Sequence, residues 1–491
     1  MLNGNNMFPP PYNFGNSGVG LPQETLGLPV PSTADEYFLL SQSHIYANDT
    51  DYAGFKCYYN RIKMTNNNGQ GQVTEKHVQI FTDTMEAYSF SAVKHANGRD
   101  WWLLMPDRNN GNFYEMLATR NGVRLYDTVF TERTPRQDCY STFSPNGSKF
   151  CFISSWKTDD APYKAQLFIW DFDRCTGMLS NMQDTTFVYP PNGGYQSVAI
   201  SPNSKYLYAA CYNKVVQFDL DKPDIIGSAT LIDTYDGFLA GTAGYDYDST
   251  YFAYSQLGPD GRIYISTPAT RYMHRIDYPN KAGKACGLKQ HLIHFPVFSY
   301  GSMPNNPHYR LGPVDGSACD TLGLDNHPLA GFRWENLDVS DYRKIEFTDN
   351  SFYEPATWEW DFAGLGVSND TNPVFTFPAD GVYKVCLKVC NQYSCDSICK
   401  LVTIGTLSNT EASHDAIFLK VYPNPAHNQI FLETSESSDG FSITNLFGQV
   451  IFKGKFDNRR AIIDSTAILS GVYFIYINNQ AVAKKIVISH Y

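Results

Sequence analysis

The chain has 491 residues, enough for about three domains on length alone. Aromatic residues make up 15% and include 34 tyrosines, while charged residues are only 18%, a balance that suits pleated, half-buried strands. The net charge of −11 argues against a nucleic-acid backbone as partner, which needs clustered lysine and arginine, and no apolar run reaches the ~20 residues of a membrane-spanning helix.

The chain opens on MLNGNNMFPPPYNFGNSGVG, with neither a basic n-region nor an apolar h-region. From there to about Leu311 it is repetitive. FSPNGSKFCFIS, ISPNSKYLYAA and LGPDGRIYIST each pair a Pro-Asn/Asp-Gly/Ser turn with an alternating aromatic strand. Their prolines, Pro145, Pro202 and Pro259, lie 57 residues apart in both steps. HANGRDWWLLM is an earlier echo, and VPSTADEYFLLS a weaker one. A second strand then ends in an acidic turn: LFIWDFDRCTG, VVQFDLDKPD, MHRIDYPNKAG. A repeat of roughly 50 residues with about four short strands predicts β-propeller blades, which bury each other's faces by stacking radially. The propeller is expected over residues 1–311.

Residues 312–325 continue a stretch rich in Pro, Gly and Asn and read as a connector. Cys286 and Cys319 flank its first part, so a Cys286–Cys319 disulfide is expected to tie it to the last blade; two unpaired buried thiols are the alternative. Pairing of Cys57, Cys139, Cys151, Cys175 and Cys211 is not readable.

Residues 326–404 resemble a PKD domain, an immunoglobulin-like β-sandwich. The resemblance rests on WEWDF at 358–362, Asn372-Pro373, Phe377-Pro378, Gly381-Val382-Tyr383 and Asn391. It departs from the family after WEWDF, where Ala363-Gly364-Leu365-Gly366 replaces Gly-Asp-Gly. Trp358 and Trp360 are two apart and share one strand face, where core packing accounts for at least one of them. Cys386 with Cys399 and Cys390 with Cys395 share one index sum, so both pairs oppose each other in an antiparallel hairpin closed by Asn391 to Ser394. Opposed Cβ atoms approach disulfide geometry, and a spacing of four places both bridges on one face. A four-cysteine zinc site is the rival, but C-x3-C on a strand suits tetrahedral ligation poorly. Residues 405–416, small and polar, read as a flexible linker.

Residues 417–491 form a last β unit. Pro423-Asn424-Pro425 is rigid and extended. Leu446-Phe447-Gly448-Gln449 and Leu469-Ser470-Gly471 are turn signals, the second leading into Val472-Tyr473-Phe474. Lys484-Lys485 precedes the final strand. In this order YPNP, L-x-G-Q, LSGVYF and K-K-I-V-I resemble the type A C-terminal sorting domain of Bacteroidota type IX secretion substrates. The resemblance implies recognition by the type IX machinery, removal of this domain within or near 405–416, and a cargo secreted or held at the outer-membrane surface. The blades likewise resemble the propeller of surface proteins with the same tail. There, residues like MLNGNNMFPPPY lie inside the propeller. Met1 is therefore expected not to be the biological start, and the full propeller is expected to hold six or seven blades, with this chain's ring open or imperfectly closed.

The sequence offers no catalytic signature: H-E-x-x-H, G-x-S-x-G and Walker-type loops are absent. His274, His291, His294 and His308 read as loop or core histidines. Asp219/Asp221 and Asp246/Asp248 resemble calcium-loop fragments without the full ligand run, so no cofactor is expected and structural calcium is unsupported. Trp101-Trp102 read as blade core. The expectation is an all-β, non-catalytic surface protein whose propeller binds an extracellular glycan or protein. The rivals are an extracellular hydrolase with its site in the propeller channel, and a structural surface-layer or fibre component.

Overall fold

A computed structural model describes residues 23–489 except 24, 47–51, 67–70, 83–88, 108–110, 132–136, 157–161, 190–193, 241–248, 269, 300–302, 337–340, 406–418, 425, 435–439, 446–449, 467, 470 and 478–482. The chain divides into two compact units, residues 1–377 with 383–402, and residues 378–382 with 403–491. Strands dominate. The helical turns among the described residues are two short 3-10 turns, Ile226–Ser228 and Gly283–Cys286.

The first unit begins with five four-stranded antiparallel meanders, the blades of a β-propeller. Blade 1 runs from Thr25 to Gln79, blade 2 from Ser91 to Val129, blade 3 from Gln137 to Val188, blade 4 from Gln196 to Thr234 and blade 5 from Ser255 to Ser299. Their strands bury both faces, and the two-residue period sorts side chains between neighbours. Trp101–Pro106 shows how. Trp101, Leu103 and Met105 pack with Leu28, Phe38 and Leu40 of blade 1. Trp102 and Leu104 point the other way, onto Phe150, Phe152, Phe168 and Trp170 of blade 3. Blade 3 turns Cys151, Ile153, Leu167 and Ile169 toward blade 4. Blade 4 turns Tyr208, Ala210 and Val215 toward Ile263, Ile265 and Ile276 of blade 5. Fully burying such side chains is worth about 1.5–3 kcal/mol each before the entropy cost. Residues after blade 5 return to blade 1: Asn305 Nδ2 donates to the carbonyls of Thr25 (3.2 Å) and Phe90 (2.9 Å), and the Tyr309 hydroxyl donates to that of Gly27 (2.8 Å).

The recurring turns lie on one face of the propeller and are chained together. The Asn146 amide of the blade 3 turn donates to Ser204 Oγ of the blade 4 turn (3.0 Å), and the Asn203 amide donates to Asn280 Oδ1 of blade 5 (3.1 Å). The connector crosses this face. Its Val314 amide donates to the Ala96 carbonyl (2.8 Å), Arg174 donates to the Gly312 carbonyl, and Pro313 sits on Gly98, where an added Cβ would lie 2.7 Å away.

Here the expected Cys286–Cys319 bridge is corrected. Cys319 is bonded to Cys175, in the last turn of blade 3. Cys286 closes the Gly283–Cys286 turn and is buried in the apolar cluster between blades 4 and 5. Proximity in sequence misled because the connector leaves blade 5 and passes blade 3. Cys57, Cys139, Cys151, Cys211 and Cys286 are buried and stand outside the disulfides.

The immunoglobulin-like module has a three-stranded sheet of Phe332–Asn336, Lys344–Asp349 and Val374–Thr376. Its four-stranded sheet contains Val367–Ser368, Thr357–Phe362, Gly381–Cys390 and Cys395–Ile404. Phe332, Phe347, Trp360, Phe362, Val385, Leu387 and Val389 are buried within it. The Trp360 indole N–H donates to the Asp370 carbonyl (2.9 Å), and Trp358 is only partly covered. Cys386 is bonded to Cys399 and Cys390 to Cys395.

In the second unit, Leu419–Tyr422, Gln429–Thr434 and Arg460–Asp464 form one sheet, and Phe441–Thr444, Val450–Gly454, Gly471–Ile477 and Ala483–Ile488 another. Ile430, Leu432, Phe441, Ile443, Ile463, Ile475, Ile486 and Ile488 fill the space between them.

Candidate functional site

The separate sequence motifs of the tail meet in space. Ala426 bridges Ile488 in parallel: its amide donates to the Val487 carbonyl (2.8 Å), and the Ser489 amide donates back to Ala426 (2.8 Å). Asn424 adds a side-chain clip, its Oδ1 accepting the Val487 amide (2.9 Å). Asn424 and Ala426 thus satisfy an edge of the terminal strand; the approach expected to be extended instead bends at Pro423, whose peptide bond with Tyr422 is cis. Gly471 opens the strand that pairs with the other side of the terminal strand, opposite Ile488, and Lys484 pairs with Ile475. Tyr473 is buried in the core, and its hydroxyl donates to the Leu469 carbonyl (2.8 Å). Lys484 is exposed. Pro425, Gly448 and Gln449 lie outside the described residues, as does the Lys485 side chain.

In the cargo unit, the propeller axis carries hydroxyls. Ser141 Oγ lies 2.8 Å from Ser89 Oγ and 2.6 Å from Ser91 Oγ, and Gln23 Nε2 donates to the Ser141 carbonyl (2.8 Å). Ser197 Oγ donates to the Ala253 carbonyl (2.8 Å), and the Tyr140 hydroxyl to that of Ser255 (2.8 Å). All of these side chains are buried, so the groups satisfy one another rather than line an open pore.

Two of the four histidines, His274 and His291, sit together beside Asp236, while His294 and His308 hold separate contacts. His274 is buried in blade 5; its Nδ1 accepts the His291 amide (2.9 Å) and its Nε2 donates to the Thr250 carbonyl (2.9 Å). Burial pulls its pKa down to about 4, with the Thr250 carbonyl opposing. His291 pairs with Asp236 at 2.8 Å, His294 packs on Tyr272, and His308 lies against Phe352. Asp219 and Asp221 flank Lys205. Asp246 and Asp248 lie outside the described residues. Among the described residues no group of three or more His, Cys, Asp or Glu is placed to hold a metal ion.

The seam between blade 5 and the immunoglobulin-like module gathers several ion pairs. The strand Lys344–Asp349 alternates: Ile345 and Phe347 enter the module's core, while Glu346, Thr348 and then Asn350 face the propeller. Lys281 Nζ lies 2.9 Å from Glu346 Oε1, and Arg262 bridges Asp260 (2.8 Å) and Glu335. Arg333 pairs with Glu335 and donates to the Asp277 carbonyl (2.8 Å). Burial alone raises the Asp277 carboxyl, but Lys289 and Arg275 outweigh it and hold the group below the ordinary carboxylate range. A cleft of about 180 Å³ opens beside these pairs, lined by Tyr278, Asn280, Thr348, Asn350 and Asn372 among others. Sequence reasoning missed this site. Its one visible trace is the blade 5 turn, where Asp260 puts a carboxylate at the place that Asn203 holds in blade 4.

Residues 420–489 match the family described as the secretion system C-terminal sorting domain. No curated protein matches the chain in sequence. Among solved structures the chain is similar to PorZ, a surface component of the type IX secretion system of Porphyromonas gingivalis, at 9% identity and a TM-score of 0.32, covering 96% of this chain and 60% of that one. It is also similar to a hypothetical selenium-binding protein from Sulfolobus tokodaii (12%, TM-score 0.34, 57% and 68%). A third is an exo-β-1,3-galactanase from Phanerochaete chrysosporium (7%, 0.31, 95% and 94%). Among the described residues no helix is long and apolar enough to cross a membrane. The C-terminal stretch of the chain thus matches a secretion-system sorting domain, which implies export through that machinery, and the chain spans 60% of the PorZ chain's length.

Proposed function

We propose that residues 1–404 are the cargo of a Bacteroidota surface protein that acts by binding, not by turnover, and that residues 405–416 are where the tail is removed. The observation that carries the export half of this reading is the match over 420–489, together with the clip of Asn424 onto the terminal strand. Two features support the binding half. The axis hydroxyls satisfy one another, whereas a hydrolase in the channel needs a general acid and base set within reach of a substrate. The propeller and the PKD-like module are joined by ion pairs, by side-chain hydrogen bonds to backbone carbonyls and by the Cys175–Cys319 disulfide on the connector. That arrangement suits a rigid display body. Its ligand is an extracellular glycan or protein.

The export half is tested by expressing the chain with and without residues 420–489 in a bacterium with an active type IX system. The intact chain should place its propeller outside the cell, and the shortened chain should keep it inside. Equal export of both removes the role assigned to the tail. The binding half is tested by incubating the released cargo with surface polysaccharides: retention without new reducing ends is expected, and steady release of sugar overturns it.

A further inference from the structure

We propose that the cleft between blade 5 and the immunoglobulin-like module binds one ring of a neutral saccharide. The inference rests on the reading of the cargo as a binding protein and locates its site.

The argument begins with what holds the cleft's amides. Asn280 Oδ1 accepts the Asn203 amide (3.1 Å), and Asn372 Oδ1 accepts the Asp349 amide (2.8 Å). Each side chain is anchored at its oxygen, which leaves its Nδ2 as a donor. Asn350 is anchored the other way, its Nδ2 donating to the Asp260 carbonyl (2.9 Å), which leaves its Oδ1 as an acceptor. Thr348, two residues earlier on the same strand face, adds a hydroxyl that can do either. Backbone bonds thus preset two donors, one acceptor and one hydroxyl before any ligand arrives, which lowers the entropy cost of binding. Gly261 belongs to the same design. Its φ is +77°, and a Cβ there would lie 2.8 Å from Asn350 Oδ1, so the glycine keeps that acceptor clear.

Charge selects the ligand class. Lys281 is neutralised by both oxygens of Glu346, at 2.9 and 3.2 Å, and Arg333 by Glu335. Three cations, Lys281, Arg262 and Arg333, face three carboxylates, Glu346, Asp260 and Glu335, so the formal charge around the cleft is balanced and favours neither an anion nor a cation. The walls also include the rings of Pro202 and Pro279, apolar C–H surface beside the amides. A pyranose presents the same alternation of hydroxyls and C–H faces. The volume of about 180 Å³ is below the ~300–1,000 Å³ typical of drug-sized sites, which limits the fit to one ring.

The test uses the full chain and four probes, D-glucose, D-galactose, D-mannose and N-acetyl-D-glucosamine, followed by saturation-transfer NMR. At least one sugar should bind saturably. N372A and T348V should each weaken it about 5-fold, the worth of one neutral hydrogen bond, with the melting temperature unchanged in T348V and lowered in N372A, which also loses the bond from the Asp349 amide. S397A, on the module's other sheet, should bind as the parent does. Binding should persist at high salt. Failure of all four sugars to saturate overturns the proposal, as does binding that collapses with salt. Saturable binding that N372A and T348V leave intact overturns the cleft while leaving a binding function in place.

Discussion

His274 makes the fold acid-sensitive by a calculable amount. Its imidazole is buried and accepts one backbone hydrogen bond while donating another, a pattern only the neutral ring can satisfy. Burial lowers its pKa from 6.5 to about 4. The unfolded chain therefore takes up this proton first as pH falls. The stabilisation is fully present above pH 6.5 and is lost progressively down to pH 4. Linkage gives a loss of about 2 kcal/mol between pH 7 and pH 5. H274Q keeps a donor near Nε2 but gives up the bond accepted from His291. It should cost about 1 kcal/mol at pH 7 and remove the titration. The two stability curves should then cross near pH 6, with the variant the more stable at pH 5. Urea unfolding of parent and variant across this range measures the difference, and the difference cancels His308, which titrates in the same direction. Parallel curves would refute the assignment of this proton to His274.

Glu115 has the opposite sign. Burial, and then Asp127, push its carboxyl up to about 8, so its contribution is present below pH 4.5 and lost as pH rises through 8. E115Q should therefore stabilise the protein at pH 8, on the order of 3 kcal/mol, and do little at pH 4 in the same unfolding assay. Loop length ranks the disulfides: Cys175–Cys319 spans 144 residues and Cys390–Cys395 spans 5. Removing the first as C175S/C319S should cost about 5 kcal/mol and the second about 2 kcal/mol. Thiol titration should find no reactive cysteine in the native protein and five in urea; a Cys286–Cys319 peptide in a digest would reverse the assignment. R262A should loosen the seam, with faster hydrogen exchange at Phe332–Asn336 and unchanged exchange in blade 2; uniform protection would show that Arg262 does not couple the two modules.

Some of this was legible in the sequence, because blade turns and strand alternation are local. The repeated Pro-Asn/Asp-Gly/Ser turns at Pro145, Pro202 and Pro259 located three blades. The shared index sum of the four hairpin cysteines rested on register alone. The partner of Cys319 was not legible, because it depends on the path of a connector without secondary structure past the turns of blades 2 and 3. The cleft was hidden for a related reason. Asn280, Asn350 and Asn372 each look like a turn asparagine until a backbone bond fixes one end of the amide. Asn424 was visible as a motif residue, but its bond to Val487 crosses 63 positions.

The central claim, that a removable tail sends this cargo out of the cell, is tested most directly by the intact mass of the product recovered from the type IX-secreting cell. The account predicts a surface or medium form that lacks residues 420–489, ends near the 405–416 stretch and carries three disulfides. A cytosolic product with the tail still attached and every cysteine reduced would contradict it.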